Sequence, residues 1–291
     1  MNNKPTIVFF GTPHFAVQTL EALEAAQLLP DIVITAPDKP AGRGLLLKPS
    51  PVKEWAEDRE IPVLEPESLK KDSETLDLLY NSEWDLFIVS AYGKILPKAI
   101  IDLPAHGTLN VHPSLLPRFR GASPIESQIL ENEQNTGVTI MLMDEELDHG
   151  PVLAQASVTP EEWPLTAPLL DELLGHVGGE LLTETIPTWI AGEITPEAQN
   201  HDKATYTRKI EKADGEIDLT DDGYQNYLKY CAYSGWPGTF FRHIKNDGDM
   251  IRVKITDATF EDGAFIPRLV VPEGKKETEY TTFLNNVGSS A

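Results

Sequence analysis

Apolar residues follow two spacings along the first two-thirds of the chain, and the two alternate. Short runs rich in β-branched and aromatic residues at 5–10 (PTIVFF), 31–35 (DIVIT), 85–90 (DLFIVS), 107–111 (GTLNV) and 137–143 (GVTIMLM) predict strands. After Gly11 and Thr12, the segment PHFAVQTLEALEAA spaces its apolar residues for a helix, as do the stretches 52–60, 73–81 and 124–132. Strands alternating with helices predict an α/β fold, an open and mostly parallel sheet with helices on both faces. In such sheets ligands bind beyond the carboxyl ends of the strands, so chemistry is sought first in residues that directly follow a strand.

A leucine-rich helix is expected at 166–191, closing a large domain at 1–191. The next stretch, AGEITPEAQNHDKAT, is polar and without period, and 192–206 reads as a linker. The remainder, 207–291, predicts a smaller β-rich domain. It has a helix in DDGYQNYLKYCAY and then β-branched segments such as MIRVKIT and FIPRLVV, which suit a small OB-like barrel or sheet.

With 291 residues, 41% of them hydrophobic, the chain can bury one large core or two unequal ones. The apolar run after MNNKP is too brief for a signal-peptide core or a membrane span, so a cytoplasmic protein without a membrane partner is expected. The single cysteine, Cys231, excludes an internal disulfide framework, and no Cys/His spacing suggests a metal. A monomer is the default expectation. The formal net charge of −22 weighs against a nucleic-acid partner in general, because phosphates require a basic face. Net charge governs solubility and long-range steering, however, and a basic patch can persist locally.

Two clusters follow predicted strands. Asn110, His112, Pro113, Ser114, Leu115, Leu116, Pro117, Arg118, Arg120 and Gly121 come straight after GTLNV. Residues two apart in an extended segment share a face, so Asn110 and His112 can converge on one ligand, and an amide beside an imidazole suits an oxyanion. The same residues would equally suit a turn and a hydrogen-bonded histidine at a strand end. In the second cluster, Leu147 to Gly150 (LDHG), Asp148 offers a carboxylate that can orient His112, or an ordinary Asx turn before Gly150.

Together, NVHPSLLPRFRGASPI and ELDHG closely resemble the folate-dependent formyltransferase family. The loop PDKPAGRGLLLKPSPVK and the opening FFGTPHFAVQTLEAL resemble the members of that family that act on methionyl-tRNA. The likeness covers residues 6–190 well and the C-terminal part more thinly. It implies a Rossmann-like formyltransferase sheet, 10-formyltetrahydrofolate as donor, initiator methionyl-tRNA as acceptor and a role in translation initiation. It further implies that Asn110, His112 and Asp148 are catalytic, that Ser114, Leu115, Leu116 and Pro117 line the folate site, and that Ala91, Tyr92 and Gly93 form its other wall. Arg43 matches a loop arginine that meets the acceptor end, with Lys48 beside it. Leu45, Leu46 and Leu47 stand where tRNA-acting relatives often carry lysines.

The implied chemistry is direct transfer. A free α-amino group has a reference pKa of roughly 7.7–8.0, so a useful fraction is nucleophilic near neutrality. The Asn110 amide and a His112 N–H would hold the charge growing on the formyl oxygen, with Asp148 beneath the ring. Lys39, Arg43, Lys48, Lys53, Arg118 and Arg120 are expected to give the mouth of the site a positive field. From Thr207 onward, however, 11 Lys/Arg face 14 Asp/Glu, which speaks against a strongly basic C-terminal grip. The competing readings are a formyltransferase for an amino-sugar nucleotide or other small amine, and an inactive folate- or RNA-binding relative. A dinucleotide enzyme is disfavoured because GTPHFA lacks the GxGxxG spacing.

Overall fold

The computed structural model describes residues 4–41, 46–245 and 248–288. Its central sheet grows from apolar runs buried on both faces. In chain order the strands are β1 (Ile7–Gly11), β2 (Ile32–Ile34), β3 (Val63–Leu64), β4 (Leu86–Ser90), β5 (Thr108–His112), β6 (Thr136–Leu142) and β7 (Val152–Val158). The spatial order is β7-β6-β5-β4-β1-β2-β3. Pairing from β3 through β5 is parallel, whereas β6 and β7 add antiparallel. The alternation in the sequence thus gives the mostly parallel α/β sheet it predicts.

Local signals set the helix starts. In α1 (His14–Ala25) the apolar side chains Phe15, Ala16, Leu20 and Leu23 are buried. Ser50 caps α2 (Pro51–Glu57) by accepting from Lys53 N, with Pro51 at the first helical position, and Asp72 caps α3 (Ser73–Tyr80) by accepting from Thr75 N. Then come α4 (Lys98–Ile101), α5 (Pro124–Leu130) and α6 (Ala167–Ile190). Leu79 of α3 and Ile100 and Ile101 of α4 join Val8, Phe10, Phe87 and Val89 in one core. On the opposite face Gly178 of α6 lies so close to Val111 and Val138 that a Cβ there would stand 2.8 and 3.1 Å from their methyls. Because side chains alternate along β5, Asn110 and His112 point away from α6.

Several elements depart from the sequence reading, among them β3 and α4, which it does not contain. The strand β7 was not foreseen, and its mostly half-buried positions explain why its pattern is weak. Within the Pro/Gly-rich stretch 37–51, read as a loop, Lys39–Ala41 pairs antiparallel with Leu46–Lys48. The helix expected at 52–60 ends at Glu57.

Contacts divide the chain into two units: 1–121, 135–158 and 171–206 form the first, and 122–134, 159–170 and 207–291 the second. The second holds α5, α7 (Gly223–Ala232) and α8 (Tyr280–Gly288). Its four-stranded antiparallel sheet runs β8 (Thr239–Ile244), β9 (Met250–Glu261), β10 (Ala264–Pro272) and β11 (Thr278–Glu279). Ile217, Phe241, Val253, Ile255, Val270 and Phe283 form its core. No helix among the described residues is long and apolar enough to cross a membrane.

Candidate active site

Asn110 and His112 sit at the carboxyl end of β5, opposite Met141 and Thr139 of β6, where the sheet changes from parallel to antiparallel pairing. Both are buried. Asp148 arrives from the loop between β6 and β7. Its φ of +50° is a left-handed conformation that aspartate tolerates better than most residues. Its Oδ2 accepts a 2.7 Å hydrogen bond from Gly121 N, while Oδ1 lies 3.5 Å from Asn110 Nδ2 and 3.7 Å from His112 Nδ1. The three side chains, drawn from two separate motifs in the sequence, therefore converge in space.

The histidine's other nitrogen is committed. His112 Nε2 stands 3.0 Å from the carbonyl oxygen of Phe119, which turns back toward the strand through its own left-handed φ of +59°. A carbonyl only accepts, so Nε2 carries the hydrogen and Nδ1 is the nitrogen that gains or loses a proton. The Nε2–H is therefore taken up by the Phe119 carbonyl, and any N–H that His112 turns toward an oxyanion is at Nδ1.

The segment from Ser114 to Pro117 is fixed by its neighbours in the sheet. Thr139 Oγ1 donates to Ser114 O at 2.7 Å and accepts from Leu116 N at 3.1 Å, while Gln155 Nε2 donates to Leu116 O and to Thr139 Oγ1. Ser114 Oγ donates to Arg118 O at 2.7 Å. The Leu116–Pro117 peptide is cis. Gly137 is required here, because a Cβ would meet Ala156 O at 2.2 Å and Leu115 at 2.6 Å.

Ala91, Tyr92 and Gly93 follow β4, the neighbour of β5. Ala91 and Gly93 take positive φ values of 48° and 76° on either side of Tyr92. The Tyr92 ring packs edge-on against Phe10 at 5.6 Å, its carbonyl accepts from Thr12 Oγ1, and its hydroxyl has no hydrogen-bond partner among the described residues. Burial, helped by the charge of Asp72, pushes the phenol up to about 12.

A match to the Formyl transferase family model spans residues 4–182. Methionyl-tRNA formyltransferase of Chloroflexus aggregans is 42% identical over 91% of this chain and 84% of its own length. The enzymes of that name from Microcystis aeruginosa and Listeria innocua are 48% and 36% identical, over 90% and 97% of this chain and 79% and 96% of theirs. The chain belongs to the methionyl-tRNA formyltransferase family. Solved structures agree in fold. An N-formyltransferase from Helicobacter canadensis, in complex with folinic acid and dTDP-3-aminofucose, superposes with a TM-score of 0.64 at 19% identity, over 88% of this chain and 89% of that one. HypX from Aquifex aeolicus with tetrahydrofolic acid gives 0.65 at 17% identity, over 99% of this chain and 48% of its own.

Within that family frame, the expected field of cations is thinner than the sequence suggests. Arg43 lies outside the described residues. Lys53 is neutralised by Asp38 at 2.9 Å and Glu65 at 2.8 Å, and the hydrogen bond to Glu65, followed by that to Asp38, raises its pKa. Arg120 is 1% exposed and holds internal groups, and Arg118 lies 4.7 Å over the Phe119 ring. Lys39 and Lys48 remain exposed on the short hairpin, beside an exposed Leu47.

Sequence reasoning also missed residues that shape the site. Phe119 O, Thr139 and Gln155 act through a backbone group or through neighbours distant in sequence, and Gly121, named in the first cluster, acts through its backbone N–H. Gly150 is needed because a Cβ would fall 1.9 Å from Leu142 O. Among the described residues, no group of three or more His, Cys, Asp or Glu is arranged to hold a metal.

Proposed function

We propose that this protein transfers the formyl group of 10-formyltetrahydrofolate to the α-amino group of initiator methionyl-tRNA. The observation that carries this reading is the convergence of Asn110, His112 and Asp148 at the carboxyl end of β5, in a chain of the methionyl-tRNA formyltransferase family. The donor is assigned to the segment Ser114–Pro117 on one side and the turn at Ala91–Gly93 on the other. Fixed backbone in the first and two left-handed residues in the second support that assignment. The acceptor end is assigned to the hairpin carrying Lys48 and, beyond the described residues, to Arg43.

The residues support transfer without a covalent enzyme intermediate. As the neutral amine attacks the formyl carbon and the new C–N bond forms, the Asn110 amide donates to the oxygen that gains charge. The bare Nδ1 of the neutral His112 takes the proton released by the attacking nitrogen, and the resulting imidazolium faces Asp148 Oδ1. When the bond to the folate nitrogen breaks, the same Nδ1–H returns the proton to it, which leaves the ring neutral and the proton count balanced. Low surrounding dielectric strengthens each of these interactions.

Radiolabelled formyl donor incubated with the protein and charged initiator tRNA tests the reading: label should appear in formylmethionine and none should remain on the protein. Label bound covalently to the protein would rule out direct transfer. The sugar formyltransferases resemble this chain at 17–21% identity and show a shared fold, so an amino-sugar acceptor is the weaker reading.

A further inference from the structure

Gln199 lies in the aperiodic stretch that follows α6, yet it is 7% exposed and all its hydrogen-bonding capacity is directed at the site. Its Nε2 donates to Asp148 O at 2.9 Å and to Gly150 O at 2.7 Å. Its Oε1 accepts from Arg120 Nε at 3.1 Å and from Arg120 Nη2 at 2.6 Å. Guanidinium only donates and carbonyls only accept, so the orientation of this amide is fixed by its partners. Two backbone hydrogen bonds of 2.8 Å between Glu197 and Val152 hold the same segment against the start of β7. Asp148 is thereby clamped twice, through its carboxylate by Gly121 N and through its carbonyl by Gln199.

The anchor of the clamp is unusual. Arg120 is buried, and its partners among the described residues are neutral: Gln199, His201 Nδ1 at 2.9 Å and the Tyr206 hydroxyl at 3.4 Å. A buried cation facing neutral acceptors polarises them, and hydrogen bonds from a charged donor are the stronger kind. The Arg120 charge, drawing on Oε1, strengthens the two N–H donations from Nε2.

We propose that Gln199, held by buried Arg120, is a positioning residue that sets the left-handed loop carrying Asp148 and so places its carboxylate beneath His112. The inference rests on the catalytic reading above. Glutamine suits the role because one side chain accepts a guanidinium and donates to two carbonyls. Glutamate would keep the first contact and replace both donors with lone pairs aimed at carbonyl oxygens.

The test is Gln199→Glu, in which a new ion pair with Arg120 supports folding. Expected are a thermal midpoint near wild type, kcat lower by about 100-fold from displacement of the loop, and KM values for folate and tRNA within about twofold, as for a loss confined to the transition state. Amide hydrogen exchange in the peptide spanning 144–151 should be faster than in wild type. Should this variant fail to fold, Arg120→Lys keeps the buried charge but loses the two-point hold on Oε1, and the same split is expected at smaller size. Wild-type kcat together with wild-type exchange in a folded variant would overturn the proposal, as would a loss carried only by KM. If the wild-type protein formylated no acceptor, the functional reading would fail separately, and exchange would still decide the clamp: faster exchange upholds it and unchanged exchange overturns it.

Discussion

His112 Nδ1 stands 3.7 Å from Asp148 Oδ1, just outside hydrogen-bond range, while the opposite ring nitrogen is held at 3.0 Å by the Phe119 carbonyl. The ring is oriented by a backbone group, and the nitrogen that faces the carboxylate is left to exchange a proton. His112→Ala should therefore lower kcat by about 10²- to 10⁴-fold with little change in folate affinity, the range of a lost acid–base group. Steady-state kinetics with donor binding measured by fluorescence checks this, and an unchanged kcat would remove His112 from the chemistry.

Thr139 is a hydrogen-bond hub rather than a surface polar residue of β6. Thr139→Val keeps the shape but leaves Leu116 N and Ser114 O buried without their partner, at a cost of about 1–3 kcal/mol. The segment assigned to folate should loosen, so the expected outcome is a lower denaturation midpoint and a raised folate KM with kcat less affected. Equal kcat and KM in a destabilised variant would detach this segment from folate binding.

Gly150 leaves no room for a side chain, with Leu142 O 1.9 Å from the position of a Cβ. Gly150→Ala should destabilise by about 1–3 kcal/mol through overpacking. It should also reduce kcat, because Gly150 lies two residues from Asp148. Calorimetry and initial rates on the same preparation test both effects.

Tyr92 offers a stability test against pH. Its phenol is neutral when protonated and burial raises its pKa from 10.0 to about 12, so the unfolded chain releases the proton first. Stability is unaffected by this group below about 10 and falls as pH rises from there toward about 12. Tyr92→Phe removes a buried hydroxyl that has no partner among the described residues, so it should be neutral to mildly stabilising near neutrality, by up to about 1 kcal/mol. Its advantage over wild type should grow above pH about 10. Urea melts at both pH values check this, and a constant difference would contradict the burial of the phenol.

The sequence was most informative where burial is complete. Strands β1, β4, β5 and β6 fall within two residues of their apolar runs because neighbours cover both faces and nearly every position must be apolar. The edge strand β7 carries an ordinary mixed pattern and passes unnoticed, as does β8. Asn110, His112 and Asp148 were visible because two motifs flank strand ends. Gln199 was not, since nothing in a polar linker distinguishes a buried amide from a solvated one. Arg120 reads as a surface cation until the structure places Gln199, His201 and Tyr206 around it. The Phe119 carbonyl leaves no mark in the sequence, because any residue has one.

The central claim is tested most directly by offering the purified protein 10-formyltetrahydrofolate with two acceptors in parallel, charged initiator methionyl-tRNA and a nucleotide-linked amino sugar. The account predicts formyl transfer to the tRNA, slowed by about 100-fold or more by His112→Ala, and none to the sugar beyond an enzyme-free control. Transfer to the sugar alone would contradict it, leaving the Asn110, His112 and Asp148 chemistry in place and overturning the acceptor.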